Sequence, residues 1–316
     1  MEQYLIIDAH SHLWERQDTV VDGQPIHSLE CPSTGSGIIN RSRSLFFDEE
    51  RQMLPPFMID GKNGAEVFLS NMDYAQVAAS VVVQEVIDGN QDAYLVQVQK
   101  KWPNRFLCCG LIDESSLDGL RDEPLDSRLS ILISQFSAYA MPGHRIKRPL
   151  SDFMPIFKAM EKEGKILSMC LGDDERQINE FDEIVQECSQ LKVAIGHFGM
   201  VTTKSWKSQI LLARHPNVMI ESGGITWLFN DEFYPYPTAV RCIKEAADMV
   251  GMEKLMWGSD YPRTITAITY RMSYDFILKS AELTETEKRL FLGENAKKFY
   301  GFTDLVELPY IKNMSE

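Results

Sequence analysis

Two histidines one residue apart, His10-Ser-His12, follow the first apolar run of the chain, Tyr4–Ile7, with Asp8 between the run and the pair. In an extended chain residues two apart share a face, so both imidazoles point the same way. Side by side and neutral, they suit a divalent metal or a pair of donors to an anionic substrate. An isolated His-x-His also fits two hydrogen-bonded structural histidines. His197, after Ala194-Ile195-Gly196, and Asp260, in Gly258-Ser-Asp260-Tyr-Pro262, shift the balance by ending two further apolar runs with an imidazole and a carboxylate. In such a set Asp260 is the expected general base toward an attacking water. His197 is the expected donor to a carbonyl oxygen as charge develops there. His10, His12 and Asp260 are three ligands, enough for a catalytic zinc with one open position. Without a metal the histidine pair would grip a carboxylate or ring oxygen of the substrate, and both readings stay open here.

Residues so far apart need a frame that gathers strand ends. Apolar runs at Tyr4–Ile7, Ser80–Gln84, Arg105–Leu111, Leu129–Gln135, Lys165–Leu171, Lys192–Ile195, Asn217–Ile220 and Lys254–Trp257 read as strands. Helical patterns at Asp92–Trp102, Asp152–Glu163, Arg176–Leu191, Ser205–Arg214, Thr238–Val250 and Ala267–Leu283 separate most of them. Ser151 stands at an N-cap position, Gly164 just past a helix end, and Thr284-Glu-Thr-Glu287 spells a capping box. Strands apolar on both faces and separated by helices form parallel sheets, and eight units predict an α/β fold, a single (β/α)8 TIM-type barrel over residues 1–316. An open doubly wound sheet would carry a glycine-rich phosphate loop, and Gly35-Ser-Gly37 follows no strand. In a barrel the residues after the strands (Gln84, Glu85, Gln135, His197, Glu221, Asp260) face one mouth, where barrel enzymes build their sites. Any strand must end in something polar, which is enough to explain Gln135 and Glu221. Residues 15–64, rich in Pro, Gly, Ser and Arg, form a long insertion after the first strand that would hang over that mouth or make an oligomer contact.

Several further side chains compete for a role. Arg263, three residues after Asp260, is placed to meet a substrate carboxylate with its fork or to make a surface ion pair. Trp14 and Trp227 are candidate pocket walls, or packing. His144 lies in Met141-Pro-Gly-His144, near enough to enter a site, whereas His27 and His215 read as surface histidines. Arg41, Arg43 and Arg51 would bring positive charge to the pocket from the insertion. Asp8 points inward with the histidine pair or supports the strand.

The set Asp8-Ala-His10-Ser-His12-Leu-Trp14, Ile195-Gly-His197-Phe-Gly and Trp257-Gly-Ser-Asp260-Tyr-Pro262 resembles the amidohydrolase superfamily in its amidohydrolase-2 branch. Gly293-Glu-Asn295-Ala-Lys-Lys-Phe-Tyr300 is similar to the helix that closes that branch. The resemblance spans the chain and implies a hydrolase, or in some members a decarboxylase, acting on small organic acids or lactones. Decarboxylases of the branch carry a metal-binding histidine on the fifth strand. Here that strand reads Lys165-Ile-Leu-Ser-Met-Cys170-Leu-Gly-Asp173, without one. The sugar-lactone and 2-pyrone-4,6-dicarboxylate lactonases typically lack it too and often end strand two in Val-Gln, as Val83-Gln84 does here. The chain therefore resembles the lactonases, with His10, His12, Gln84, Arg263 and Trp14 as expected substrate contacts. The implied cofactor is one divalent metal, zinc first, on His10, His12 and Asp260, or none. Cys170 is a soft fourth ligand or a core thiol.

Composition narrows the partners. With 32 Lys and Arg against 46 Asp and Glu, the 316-residue chain carries a formal charge of −14, which repels nucleic-acid backbones. No apolar stretch reaches membrane-spanning length, no signal-peptide layout opens the chain, and six scattered cysteines without a CxxC pair suggest reduced thiols in the cytoplasm. The expected partner is a small organic acid or lactone, with a homo-oligomer open. The expected activity is hydrolysis of a lactone or cyclic ester of a sugar acid or small dicarboxylic acid. The alternatives are a metal-dependent decarboxylase or C–C hydrolase of an aromatic or unsaturated acid, and a binding barrel without turnover.

Overall fold

The computed structural model describes residues 4–17, 20–21, 24–25, 27–29, 38–40, 54–55, 58, 61–118, 120, 125–310 and 314. Eight strands follow one another round a single sheet: β1 (Ile7–Ser11), β2 (Ala79–Val82), β3 (Phe106–Leu111), β4 (Ala138–Met141), β5 (Ile166–Met169), β6 (Lys192–Ile195), β7 (Val218–Glu221) and β8 (Leu255–Met256). All neighbours pair in parallel. The chain after β8 returns to β1 through Ala9 N–H to Trp257 O (2.9 Å), Asp260 N–H to His10 O (2.8 Å) and His12 N–H to Tyr261 O (2.7 Å), which closes a TIM barrel.

Two apolar layers hold the wall. Ile7, Ala9, Val81, Ala138, Ala140 and Ala194 fill the inside, stoppered from below by Phe299 and Tyr300. The outer layer packs the strands' other faces on helices such as Glu175–Glu187, where Ile178, Phe181, Ile184 and Val185 bury one stripe and Asp174 caps the Arg176 N–H. The capping box at Thr284 and Glu287 forms as its residues predict, and Gly164 takes the left-handed conformation (φ 65°) past a helix end. No helix among the described residues is long and apolar enough to cross a membrane.

Three local expectations are corrected. Leu129–Gln135 is not a strand: Leu125–Leu132 is a helix and the fourth strand is Ala138–Met141. The apolar run had helical period, with Leu129 and Ile133 buried four residues apart while Ile131 is 71% exposed. Gln135 thus precedes β4 and does not reach the mouth. β1 starts at Ile7, so Asp8 and His10 lie within it. Ile7 and Ala9 belong to the inner layer, so strict alternation would turn His10 outward; the register slips between Asp8 and Ser11, and such an irregularity re-aims a side chain. Ser151 caps no helix; its hydroxyl and N–H both bond Glu180.

The segment that follows β1 leaves and returns beside His12. Trp14 and Asn63 exchange main-chain bonds, Asn63 donates its side-chain amide to His12 O (2.6 Å), and Gln17 N–H bonds Gly61 O. Within it Val20–Val21 pairs with Gln24–Pro25, and His27–Leu29 with Ile38–Asn40. Arg41, Arg43 and Arg51 lie outside the described residues, as does most of the segment expected to cover the mouth.

Asp8 fastens the seam. Its buried carboxylate accepts Ser259 N–H (2.8 Å), Ser259 Oγ–H (2.5 Å), Tyr270 Oη–H (2.7 Å) and His10 N–H (3.1 Å). Burial pushes its pKa up to about 7 against these bonds. Removing it leaves four donors without their acceptor, so Asp8→Ala should lose about 3 kcal/mol of stability in urea unfolding. A folded value above that of an unfolded Asp stabilises most at low pH, and this contribution fades as pH rises toward 7. The deficit of Asp8→Asn against the native protein should therefore shrink between about pH 4 and about pH 7.

Candidate active site

His10 (β1) and Glu221 (β7) meet across the barrel, His10 Nδ1 to Glu221 Oε1 at 2.7 Å. Glu221 also accepts the backbone N–H of Gly223 (2.6 Å) and His197 (3.2 Å), so it is the acceptor and the His10 proton sits on Nδ1. Burial raises Glu221 to about 7, opposed by His197 and these two N–H groups. Burial lowers His10 to about 4, so its Nε2 carries a lone pair near neutral pH. His12 turns Nδ1 toward Asp88 Oδ2 (3.4 Å), on the turn after β2, and is likewise held below its ordinary value by burial. A carboxylate thus stands behind each imidazole, the arrangement that orients histidine ligands of a metal.

Asp260 completes the group from the turn after β8, in a left-handed conformation (φ 59°) that side chains seldom adopt. Its Oδ1 lies 3.0 Å from His12 Nε2 and 3.8 Å from His10 Nε2, and the two Nε2 atoms are 3.1 Å apart. Ligands on a tetrahedral ion with bonds of about 2.1 Å sit about 3.4 Å apart, so the triangle has the right size. Asp260 Oδ1 is buried and faces the Nε2 atoms of both imidazoles. Three electron-pair donors converging on one point fit a cation, and among the described residues these are the three that do so. Burial alone would raise Asp260, but His12, Arg263 and His197 outweigh it and hold the carboxyl well below the usual carboxylate range.

Over this group lies a cavity of about 360 Å³, lined among others by His12, Glu85, His144, His197, Trp227 and Arg263. Arg263 donates Nη2–H to Asp88 Oδ1 (2.7 Å), which Gln17 also bonds, while its Nη1, 3.9 Å from Asp260 Oδ1, is buried with no partner. His144 does reach the cavity wall, Nε2 to Glu85 Oε2 at 3.1 Å, with Arg145 on the other Glu85 oxygen (3.3 Å). Despite burial, its contacts with His144, Arg145 and Arg263 hold Glu85 below the carboxylate range. His215 is elsewhere, paired with Asp182.

Other expected contacts are placed differently. Gln84 has both amide hydrogens on Asp92 and Cys109 O and its oxygen on Gln91 N–H, so its amide is used up in supporting the wall. Trp14 is fully buried, bonded to Gly61 O, and backs Arg263 from behind with the guanidinium 5.8 Å from its ring. Trp227 is the tryptophan in the cavity. His197, its ring 4.6 Å from that of His10, donates Nδ1–H to Gly223 O (2.8 Å). A carbonyl only accepts, so the neutral ring turns a lone pair at Nε2, not a hydrogen, toward the reaction space. Burial, helped by His10, lowers His197 and keeps that form. Cys170 stays a thiol, its pKa raised well above the ordinary value by burial.

Sequence patterns missed Asp88, which ends no strand, and three glycines. A Cβ at Gly223 would stand 2.7 Å from His10 Cγ, at Gly258 2.7 Å from His10 Cβ, and at Gly196 2.6 Å from Cys170 Sγ. All three would also crowd Glu221, so the bare backbone there makes room for the His10–Glu221 pair.

No curated protein matches the sequence. A protein from Acinetobacter baumannii named a probable 2-pyrone-4,6-dicarboxylic acid hydrolase, with citric acid bound, is 17% identical, covers 94% of this chain and 99% of its own, and gives a TM-score of 0.66. An amidohydrolase from Burkholderia multivorans with bound zinc is 16% identical over 94% and 99%, with a TM-score of 0.65. The 5-carboxyvanillate decarboxylase of Novosphingobium aromaticivorans, complexed with manganese, is 14% identical over 94% and 96%, with a TM-score of 0.58. These likenesses are of fold. The family model described as amidohydrolase matches residues 7–302, nearly the whole barrel, and the chain belongs to that family of enzymes.

Proposed function

We propose that the protein hydrolyses a lactone or related cyclic ester of a small carboxylic acid, a sugar acid or dicarboxylic acid, in the cavity above His10, His12 and Asp260. The observation that carries this reading is a buried, unpartnered Arg263 Nη1 facing the same space as the unpartnered Asp260 Oδ1. A cation donor and an anionic acceptor left open side by side suit a substrate that brings both an acidic group and a reacting water.

Water adds its oxygen to the lactone carbonyl carbon while Asp260 Oδ1 takes its proton. The ring C–O bond then breaks, and the same proton passes to the departing ring oxygen, giving the hydroxy acid. Arg263 Nη1 donates to the carboxylate or to the carbonyl oxygen as it gains charge. His197 Nε2, a lone pair in the neutral ring, accepts the second hydrogen of the water. It donates to a carbonyl only after gaining a proton, so the polarising role expected from the sequence falls first to Arg263. His10, His12 and Asp260 would hold a divalent ion, which would supply Lewis acidity toward water and carbonyl when bound.

The deciding experiment is metal analysis of protein purified without an affinity tag, with turnover of a lactone panel before and after chelation. About one divalent ion per chain and lactonase activity lost on chelation are expected. Carbon dioxide release from aromatic or unsaturated acids, with no lactone opened, would replace this reading by the decarboxylase. Asp260→Asn and His197→Ala should each lower kcat by at least about a hundredfold with the fold intact. Arg263→Met should lower kcat/KM by about a hundredfold or more, with loss in kcat as well as KM because the guanidinium meets the carbonyl oxygen as it gains charge. Gly223→Ala should leave the fold intact yet lower metal affinity about tenfold or more by displacing His10, which equilibrium competition with a chelator measures.

A further inference from the structure

The two oxygens of Asp260 are treated differently by their neighbours. Oδ1 faces His12 Nε2, His10 Nε2 and Arg263 Nη1 without a hydrogen-bond partner. Oδ2 accepts the indole Nε1–H of Trp227 at 2.7 Å. The main chain of Asp260 is fixed by its N–H on His10 O. The side chain is not fixed in the same way, because the last torsion of Asp is broad and roughly two-fold. Without a partner for Oδ2, either oxygen, or both, would turn toward the imidazoles.

The indole is built into place. Gly224 adopts the left-handed conformation (φ 72°) that opens the short helix Ile225–Leu228, and Trp227 N–H returns to Gly224 O (3.0 Å). A Cβ at position 224 would lie 1.9 Å from Trp227 Nε1, so the ring folds back directly over that glycine. Trp227 nonetheless stays 36% exposed and lines the cavity, which marks it as part of the site and not of the core.

We infer that Trp227 is a positioning residue: its indole N–H holds Asp260 Oδ2 and so makes Oδ1 the one oxygen offered to a divalent ion and to the proton of water. The inference rests on the role given to Asp260 above. It concerns orientation, so replacing the N–H while keeping a ring should leave KM nearly unchanged.

Trp227→Phe should weaken Zn2+ binding, measured by chelator competition, by about tenfold or more. It should lower kcat by a similar factor with KM within about twofold. Gly224→Ala, which displaces the indole without removing it, should reproduce both losses and decides the matter if Trp227→Phe does not fold. The indole proton resonance of Trp227, assigned by its loss in Trp227→Phe, should move in Asp260→Asn. Unchanged Zn2+ affinity and kcat in both variants overturn the inference. If the native protein takes up no Zn2+, the metal reading of the site falls separately. The indole proton then decides: a resonance indifferent to Asp260→Asn overturns the positioning role, and one that moves supports it.

Discussion

The seam between β1 and the chain leaving β8 is the constraint on which the site depends. Three main-chain bonds, Ala9 to Trp257, Asp260 to His10 and His12 to Tyr261, join segments some 250 residues apart. Two of the three are made by the residues whose side chains converge, so closing the barrel and assembling the site are the same event. Asp8 reinforces it by gathering donors from Ser259 and Tyr270. The loop-closure entropy of so long a chain is met by the whole ring of strands, which makes the geometry rigid once formed.

Around that seam the protein buries the carboxyl groups of Asp8, Asp88, Glu221 and Asp260, with Glu85 and Arg263 half-buried beside them. Buried charges persist when they are paired and hydrogen-bonded. Almost every polar atom here has such a partner, from Glu221 on His10 to Arg263 on Asp88. The exceptions are concentrated: His12 Nδ1, Asp88 Oδ2, Asp260 Oδ1 and Arg263 Nη1 all lie along one line of contacts beneath the cavity. Stability left unclaimed there is what a ligand can recover.

The backbone carries a related signature. His197, Phe198, Met200 and Asp260 all have positive φ without being glycine, and two of them bring side chains into the site. Residues held in such conformations cost of order a kcal/mol each and persist only where surrounding structure enforces them. Here the enforcement is visible in the bond from Asp260 N–H to His10 O and from His197 N–H to Glu221.

The alternation of apolar strands with helices, the barrel it implies and the pairing of His10-Ser-His12 with His197 and Asp260 were all readable from the chain, because strand ends in a parallel barrel share one mouth. Local reading failed where two periods compete, as at Leu129–Gln135, and where a short strand of small residues, Ala138–Met141, has little β signal. It assigned Gln84 and Trp14 to the substrate because their types and places fit, whereas the amide of Gln84 is taken by the wall and the indole of Trp14 by Gly61 O. It treated Glu221 as an ordinary polar strand end and had no signal for Asp88, Trp227 against Asp260, or the tautomer of His197. Sequence by itself determined which chemical groups are present and on which side of the barrel they emerge, since that follows from periodicity and chain direction. Which atom of each group faces the cavity was decided only by tertiary structure, because hydrogen bonds between residues with no regular spacing hold one side of His10, His197 and Asp260 and leave the other open.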